Sequence, residues 1–194
     1  MLARDCTFTV IDFETTGSVR GLPDEPWQFG AVELRGEDIR VLRDDCLRID
    51  PARPFNPYAP GRHAELRGVL AAAPAPRALL PEWLPFLAGG PGRVLVAHNA
   101  ATEKRILAAL APLLPLGPWV DTLKLARAVL PGRAGYELAR VVRDAGLEGT
   151  ARGLCPGRDW HDALFDATAT AVLLRAWLAS SQWRGVAADA IAER

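Results

Sequence analysis

Two carboxylates, Asp12 and Glu14, stand two residues apart in an apolar, β-branched segment that ends near Gly17. Successive side chains of a strand point to opposite faces, so side chains two residues apart share a face. Two adjacent anions beside an apolar strand repel each other and lose hydration unless a positive group compensates them. A divalent cation is such a group, although an exposed strand end with two solvated acids has the same spacing.

A second acidic segment lies at residues 160–170, where His161 precedes Asp166 by five positions. Small residues let a helix lie close to a sheet, and Asp166 is surrounded by Ala163, Ala167, Ala169 and Ala171. Its carboxylate is therefore expected to face inward, with the imidazole near the helix start reaching the same cavity. A lone histidine before a helix is more often structural or solvated. Because Asp166 and the pair Asp12/Glu14 accompany it in the sequence, we favour a functional role for His161 over a structural one.

A third polar segment contains His98 and Asn99, between an apolar strand and a helical pattern that carries Glu103 in its first turn. Asn99 is a candidate cap for that helix. His98 and Asn99 could have a purely structural role and close hydrogen bonds at the junction. Glu103 could likewise be an acid of the first helical turn that the macrodipole stabilises, or it could pair with a nearby base. In open α/β sheets, sites form where strands end and helices begin. Three such acidic segments predict one site.

The pattern predicts an α/β fold with a mixed five-stranded sheet flanked by helices. Strands are predicted at 6–13, 28–35, 39–49, 93–97 and 119–121. Helices are predicted at 64–73, 77–87, 100–110, 122–130, 136–145 and 162–178, and the Gly/Pro-rich segment 146–158 is predicted to be a loop. We expect a single domain over residues 1–194, with its core at 5–178 and a short C-terminal extension at 179–194.

Composition excludes several classes of protein. The 23 basic and 23 acidic side chains balance, so local contacts rather than a global positive field must carry any nucleic-acid binding. Cys6, Cys46 and Cys155 are far apart and odd in number, which is typical of reduced thiols in a cytoplasmic protein. No segment has the pattern of a secretion signal or a membrane span, so we expect a cytoplasmic protein.

The three segments together resemble the DEDDh exonucleases of the ribonuclease H-like fold. The resemblance rests on Val10–Gly17, on Leu95–Ala100 with an acid at 103, and on His161 with Asp166. Phe29–Val32 and Trp119–Leu123 add weaker matches in the expected order. This group includes the proofreading subunit of bacterial DNA polymerase III, ribonuclease T and oligoribonuclease. The resemblance covers nearly the whole chain and implies a ribonuclease H-like fold.

This resemblance also implies a metal-dependent 3′-to-5′ exonuclease that hydrolyses phosphodiester bonds at the end of single-stranded DNA or small RNA, with DNA repair as a role. Two divalent cations, Mg²⁺ or Mn²⁺, would serve a two-metal mechanism with oxygen ligands. Asp12, Glu14 and Asp166 would hold one ion, Asp12 would bridge to the second, and Glu103 would reach the second directly or through water. His161 would be the general base. Residues expected to border the substrate are Thr15, Thr16, His98 and Asn99.

Two positions depart from the family pattern. Thr102-Glu103 stands where relatives usually have Phe-Asp, and glutamate is one methylene longer than aspartate. Gln28 stands where many relatives carry an acid on the second strand. The first departure motivates an alternative hypothesis, a catalytically weak or inactive nucleic-acid- or polymerase-binding module of the same fold. A ribonuclease H-like endonuclease is disfavoured, because that activity normally lacks a histidine placed as His161 is.

The expected partner is the 3′ end of single-stranded DNA or RNA, without a membrane. The chain ends soon after its last long helix. We therefore expect a free-standing nuclease or a homodimer rather than an obligate polymerase subunit.

Overall fold

The computed structural model describes residues 1–54, 56–183 and 185–192. Its strands are β1 (Thr7–Thr15), β2 (Pro26–Arg35), β3 (Asp38–Cys46), β4 (Arg93–Ala97) and β5 (Trp119–Asp121). Its helices are α1 (His63–Leu70), α2 (Pro76–Leu87), α3 (Ala101–Leu110), α4 (Thr122–Val129), α5 (Leu138–Asp144), α6 (Glu148–Leu154), α7 (Ala163–Ala179) and α8 (Ala188–Ala192). None of the described helices combines the length and the hydropathy needed to cross a membrane.

The strands form one five-stranded sheet in the order β3-β2-β1-β4-β5. β1 pairs antiparallel with β2, and β2 pairs antiparallel with β3 across the tight turn at Gly36. β4 pairs parallel with both β1 and β5, since helices connect these strands. The mixed five-stranded sheet predicted from the sequence is confirmed.

Helices cover both faces of the sheet. On β1, Phe8 and Val10 belong to an apolar cluster that includes residues of α5, α6 and α7. Ile11 and Phe13 point to the opposite face and pack with residues of α2 and α3. This alternation follows from the two-residue period of a strand, and burial on both faces explains why β1 is apolar almost throughout.

The prediction of a loop over 146–158 is wrong, because residues 148–154 form α6. Gly149 and Gly153 lower helix propensity, which concealed this helix in the sequence. Burial of Ala151 in the apolar cluster beside α7 compensates for that loss. Glu148 also pairs with Arg152 one turn along, at 2.8 Å.

The C-terminal segment adds side chains to the core. Trp183 and Ile191, both in the predicted extension 179–194, are buried in the cluster that contains α7. Leu2 forms an isolated antiparallel bridge with Ala187, which joins this segment to the start of the chain. Residues 184, 193 and 194 of the extension lie outside the described residues.

Candidate active site

The site lies where β1 extends beyond its neighbour β4. β4 pairs with β1 only over Thr7–Val10, so the segment from Ile11 to Thr15 is open on that side. Asp12 and Glu14 lie on this segment, and they share the face of the sheet that α7 covers. α3 follows directly from β4 and α7 packs across β1 and β2, so both helices bring side chains to the open segment.

Glu14, His161 and Asp166 form a compact group in which one potential ligand atom from each residue lies within 4.8 Å of the others. Asp166 is in the first turn of α7, and its Oδ2 accepts a hydrogen bond from the backbone N–H of His161 at 3.3 Å. His161 is exposed and has a φ of +65°, a conformation that few non-glycine residues adopt. Residues predicted from distant parts of the sequence therefore meet here.

Asp12 and Glu103 are not members of that three-residue group. The negative charges of Glu14, Glu103 and Asp166 nevertheless act on Asp12. The Glu103 side chain is buried, with 3% of the residue exposed, and its Oε2 has no hydrogen-bond partner among the described residues. Repulsion from Glu103 and Asp166 adds to burial in raising the pKa of Asp12 well above its usual range. The structure thus brings the four predicted carboxylates close enough for their charges to interact.

Burial is the main cause of the raised pKa values in this site. It raises the pKa of Glu14 to about 8, and repulsion from Asp166 adds to the shift. Burial also raises the pKa of Glu103 to about 7. The backbone N–H groups of Glu103 and Phe13 oppose this rise, because they favour the charged form. The pKa of Asp166 is raised to about 7, against the N–H of His161. Without a compensating cation, these carboxyls share protons near neutral pH.

The donor set fits a divalent cation. Oδ1 of Asp166 and Oε2 of Glu103 are both buried and lack a hydrogen-bond partner among the described residues. Buried carboxylate oxygens without partners are costly unless they bind a proton or a metal. Oxygen ligands of this kind suit hard cations such as Mg²⁺ and Mn²⁺.

The structure places His98 and Asn99 at the predicted junction, with different roles. Both His98 ring nitrogens are bonded within the protein, Nδ1 to the Thr122 hydroxyl at 3.0 Å and Nε2 to the Tyr136 carbonyl at 2.8 Å. His98 therefore closes hydrogen bonds at the junction, which was the structural explanation for this residue, and both nitrogens of its ring are used in doing so. Asn99 is exposed at φ +68°, and the prediction that it caps α3 is wrong: Ala100 occupies the cap position without a side-chain bond.

Thr15 and Thr16 close the end of β1. The Thr16 hydroxyl accepts from the N–H of Glu25 at 3.0 Å, and Thr16 N–H donates to the Glu25 carbonyl at 2.9 Å. The Thr15 hydroxyl accepts from Gly17 N–H at 3.4 Å. Gly17 has a φ of +71°, and a Cβ there would lie 2.6 Å from the Cβ of Ala59. A glycine is thus required where this turn meets the loop before α1.

Asp121 is a site-forming residue that sequence reasoning missed. Its carboxylate accepts from the backbone N–H groups of Asn99 and Ala100, at 3.0 and 3.2 Å. It also caps α4 by accepting from Leu123 N–H at 3.0 Å. The cue was present, since an aspartate directly before a helical pattern is a typical N-cap. Its second function is to bind the backbone that follows β4, and this contact exists because β4 and β5 pair side by side.

Two open grooves flank the site. One, of about 540 Å³, is lined by residues that include Trp27, Gln28 and His161. The other, of about 570 Å³, is lined by residues that include Asn99, Arg127 and Arg133. In the second groove Arg133 is paired with Asp144 at 2.5 Å, whereas the Arg127 guanidinium lies over the Tyr136 ring, 6.0 Å from its centroid.

Comparison with known proteins gives consistent results. Over 182 residues the chain is 29% identical to exodeoxyribonuclease 10 of Escherichia coli, a match that covers 90% of this chain and 70% of the relative. Over 180 residues it is 34% identical to a PolC-type DNA polymerase III of Thermotoga petrophila, covering 88% of this chain but only 12% of the polymerase. The structure of exonuclease X in complex with 5′-overhanging duplex DNA superimposes with a TM-score of 0.70 at 27% identity, covering 96% of this chain and 98% of that one.

The exonuclease family model of the RNase T type matches residues 9–174, which include every carboxylate of the site as well as His161. The resemblance inferred from the sequence motifs is therefore confirmed, and with it the ribonuclease H-like fold. The chain belongs to the RNase T family of exonucleases.

Proposed function

We propose that this chain hydrolyses phosphodiester bonds one nucleotide at a time from the 3′ end of single-stranded DNA, with two divalent cations. The observation that carries the proposal is the group Glu14, His161 and Asp166, together with Oδ1 of Asp166 and Oε2 of Glu103, two buried oxygens without a hydrogen-bond partner in the described part of the chain. The names of the relatives, an exodeoxyribonuclease and a DNA polymerase, favour DNA over RNA.

The four carboxylates and His161 then have defined roles. Asp12, Glu14 and Asp166 would hold one cation, and Asp12 and Glu103 would hold the second. Bound cations would supply electrostatic stabilisation of the phosphodiester and would lower the pKa of water. An imidazole nitrogen of His161 takes the proton from the attacking water. Because His161 is exposed, that proton can pass to solvent.

The groove that contains Arg127 and Arg133 offers a path for the DNA strand. Arg127 and Asn99 line it together, and Asn99 belongs to the turn that leads into α3 and Glu103. None of the ion pairs found among the described residues involves Arg127, and an arginine of this kind suits a phosphate of the DNA strand next to the 3′ nucleotide. Binding through a few local arginines agrees with the zero net charge of the protein.

The test is a nuclease assay on three 5′-labelled substrates of equal sequence: single-stranded DNA, single-stranded RNA, and duplex DNA with a 5′ overhang. Each is incubated with Mg²⁺, Mn²⁺ or EDTA. We expect a metal-dependent ladder that shortens the single-stranded DNA from its 3′ end.

Asp12→Ala should abolish this ladder, whereas Asp38→Ala, at the opposite end of the sheet, should leave it intact. A preference for RNA would overturn the DNA assignment. Intact substrates under every condition, with binding retained, would instead favour an inactive nucleic-acid-binding module.

A further inference from the structure

A polar network connects the sheet to the start of α7, and its one buried member is Gln28. None of the proposed catalytic roles uses it. We call it the cap network: Gln28 on β2, Asp44 on β3, and Arg158 and Asp162 in the segment before α7. Asp162 is the residue directly after His161. The network therefore acts on the backbone that carries the imidazole.

The strand register explains why the network lies beside the site. Gln28 is the cross-strand partner of Glu14, and Gly30 is the partner of Asp12. Residues paired across a sheet point to the same face, so Gln28 lies next to Glu14 on the face that α7 covers. Gly30 is in turn the partner of Asp44 on β3, which brings Asp44 to that face as well.

Gln28 makes three hydrogen bonds although only 4% of the residue is exposed. Its Nε2 donates to Asp162 Oδ2 at 3.1 Å and to Asp44 Oδ1 at 3.4 Å, and its Oε1 accepts from Ala163 N–H at 3.2 Å. The opposite amide orientation would place the carbonyl against two carboxylates and the NH₂ group against an N–H. The neighbours therefore fix the orientation of this side chain.

Asp162 is the centre of the network. Its Oδ1 accepts from the N–H groups of Leu164 and Phe165, both at 3.1 Å, and so caps α7. Arg158 donates to both of its oxygens, at 2.9 and 2.7 Å, and also pairs with Asp44. Asp162 is thus held from the sheet and from its own loop at once.

His161 needs such restraint, because its left-handed backbone conformation is disfavoured for a residue with a side chain. Strained backbone persists where the surroundings over-determine it. The bonds to Asp162 and Ala163 fix the two residues that follow His161, and Asp166 binds its N–H.

We propose that Gln28 is a positioning residue, which sets the place of the His161 imidazole over the site through its bonds to Asp162 and Ala163. This inference rests on the proposed function, in which His161 is the general base. A role in folding alone predicts a different result, since loss of stability would lower activity whether or not the histidine is present.

The first test is a double-mutant cycle with single-stranded DNA. Gln28→Leu should lower kcat by roughly 10- to 100-fold with little change in KM, because misplaced catalytic groups slow the chemical step. In a His161→Ala background, the same substitution should change kcat by less than about 2-fold. Thr9→Val serves as a control, since it removes a hydrogen bond from another buried side chain, the one to the Phe86 carbonyl, on the face of the sheet opposite to α7. Equal effects of Gln28→Leu in both backgrounds would overturn the proposal.

The second test reverses the polarity of one bond. Gln28→Glu keeps the shape but places a carboxylate against Asp162, so kcat should fall. Adding Asp162→Asn restores a donor opposite the new acceptor and keeps a good helix cap, so it should recover part of the loss. Asp162→Asn alone is the reference, because it also weakens the bonds from Arg158. If that variant is active but the double variant is no faster than Gln28→Glu, the proposed contact is contradicted.

A third readout does not require activity. The chain has three histidines, so their ring signals can be assigned and followed by NMR. Gln28→Leu should shift the signal of His161 and leave those of His63 and His98 in place. An unchanged His161 signal would refute the positioning role even if wild-type protein cleaves DNA. If wild-type protein fails to cleave but the signal moves, the proposed function fails and the positioning contact stands.

Discussion

Glu103 is longer by one methylene than the aspartate that the resembling family usually carries, and the structure gives that length a use. α3 brings the residue to β1 from the open side of the strand, where the N–H of Phe13 stabilises its charged form. Its Oε2 is buried and lacks a described partner. The longer side chain thus extends from α3 to the cluster of carboxylates that includes Asp12 and Glu14.

The first prediction is that Glu103→Gln changes activity and stability in opposite directions. The amide cannot replace an anionic oxygen ligand, so the cleavage rate should fall by roughly 10²-fold or more. The metal-free protein should become more stable at pH 8, because one of several repelling carboxylates is removed. Thermal melts with EDTA and single-turnover rates with Mn²⁺ check the two effects. A lower melting temperature would mean that Glu103 stabilises the metal-free fold.

The second prediction concerns His161, the proposed general base, which contributes little to packing because it is exposed. His161→Ala should slow hydrolysis by roughly 10²- to 10⁴-fold, the usual contribution of a general base. Binding of Mn²⁺ and of single-stranded DNA should remain, as measured by calorimetry and fluorescence anisotropy. A variant with full rate would remove His161 from the mechanism.

At the scale of elements, the approach of α7 to β2 brings Asp166 to the site. A Cβ on Gly30 would lie 2.3 Å from the backbone carbonyl carbon and oxygen of Ala163. The absence of a side chain at this position therefore allows the helix start to rest on the sheet beside Asp12.

The third prediction is that Gly30→Ala pushes the start of α7 away from β1. Overpacking of this kind costs about 1–3 kcal/mol of unfolding free energy, and displacement of Asp166 should weaken Mn²⁺ binding as well. Gly68→Ala is the control, since Gly68 lies within α1 and a Cβ there meets open space. That control should gain about 0.5–1 kcal/mol. Unchanged Mn²⁺ affinity in Gly30→Ala would show that α7 is not displaced.

Much of this arrangement could be predicted from sequence, because periodicity and motif order report on local structure. The pair Asp12/Glu14 and the helix of Asp166 were found in this way. α6 was missed because tertiary burial of Ala151 outweighs two glycines. The contacts of Asp121 and Gln28 were also missed, since each joins segments whose distance depends on strand register, which local patterns do not encode.

At the scale of the whole molecule, the charges are balanced but unevenly distributed. Acidic side chains crowd one end of β1, and the groove of Arg127 begins at the neighbouring turn. On the proposed function, local arginines would therefore bind the negatively charged nucleic acid near a site that repels it until divalent cations occupy that site.

The fourth prediction is that Arg127→Glu raises KM for single-stranded DNA by roughly 10-fold and reduces the salt dependence of binding by about one counterion. The turnover rate should change little, because Arg127 does not contact the carboxylates. Arg35→Glu is a matched charge reversal on β2, beside the opposite end of β1, and should have no such effect. Equal effects of the two variants would indicate a general field rather than a defined strand path.

The fifth prediction links pH, metal and stability. In metal-free protein, Glu14, Glu103 and Asp166 hold their protons more tightly when folded, with pKa values of about 8, 7 and 7. The resulting stabilisation is complete below the unfolded pKa values and is lost as pH rises through 7 to 8. The melting temperature in EDTA should therefore fall between pH 5.5 and about 8.5. Cations compete with these protons, so Mn²⁺ should raise the melting temperature more at pH 8 than at pH 6. Asp12→Asn should flatten both trends, and an equal Mn²⁺ effect at both pH values would contradict the shared carboxylate site.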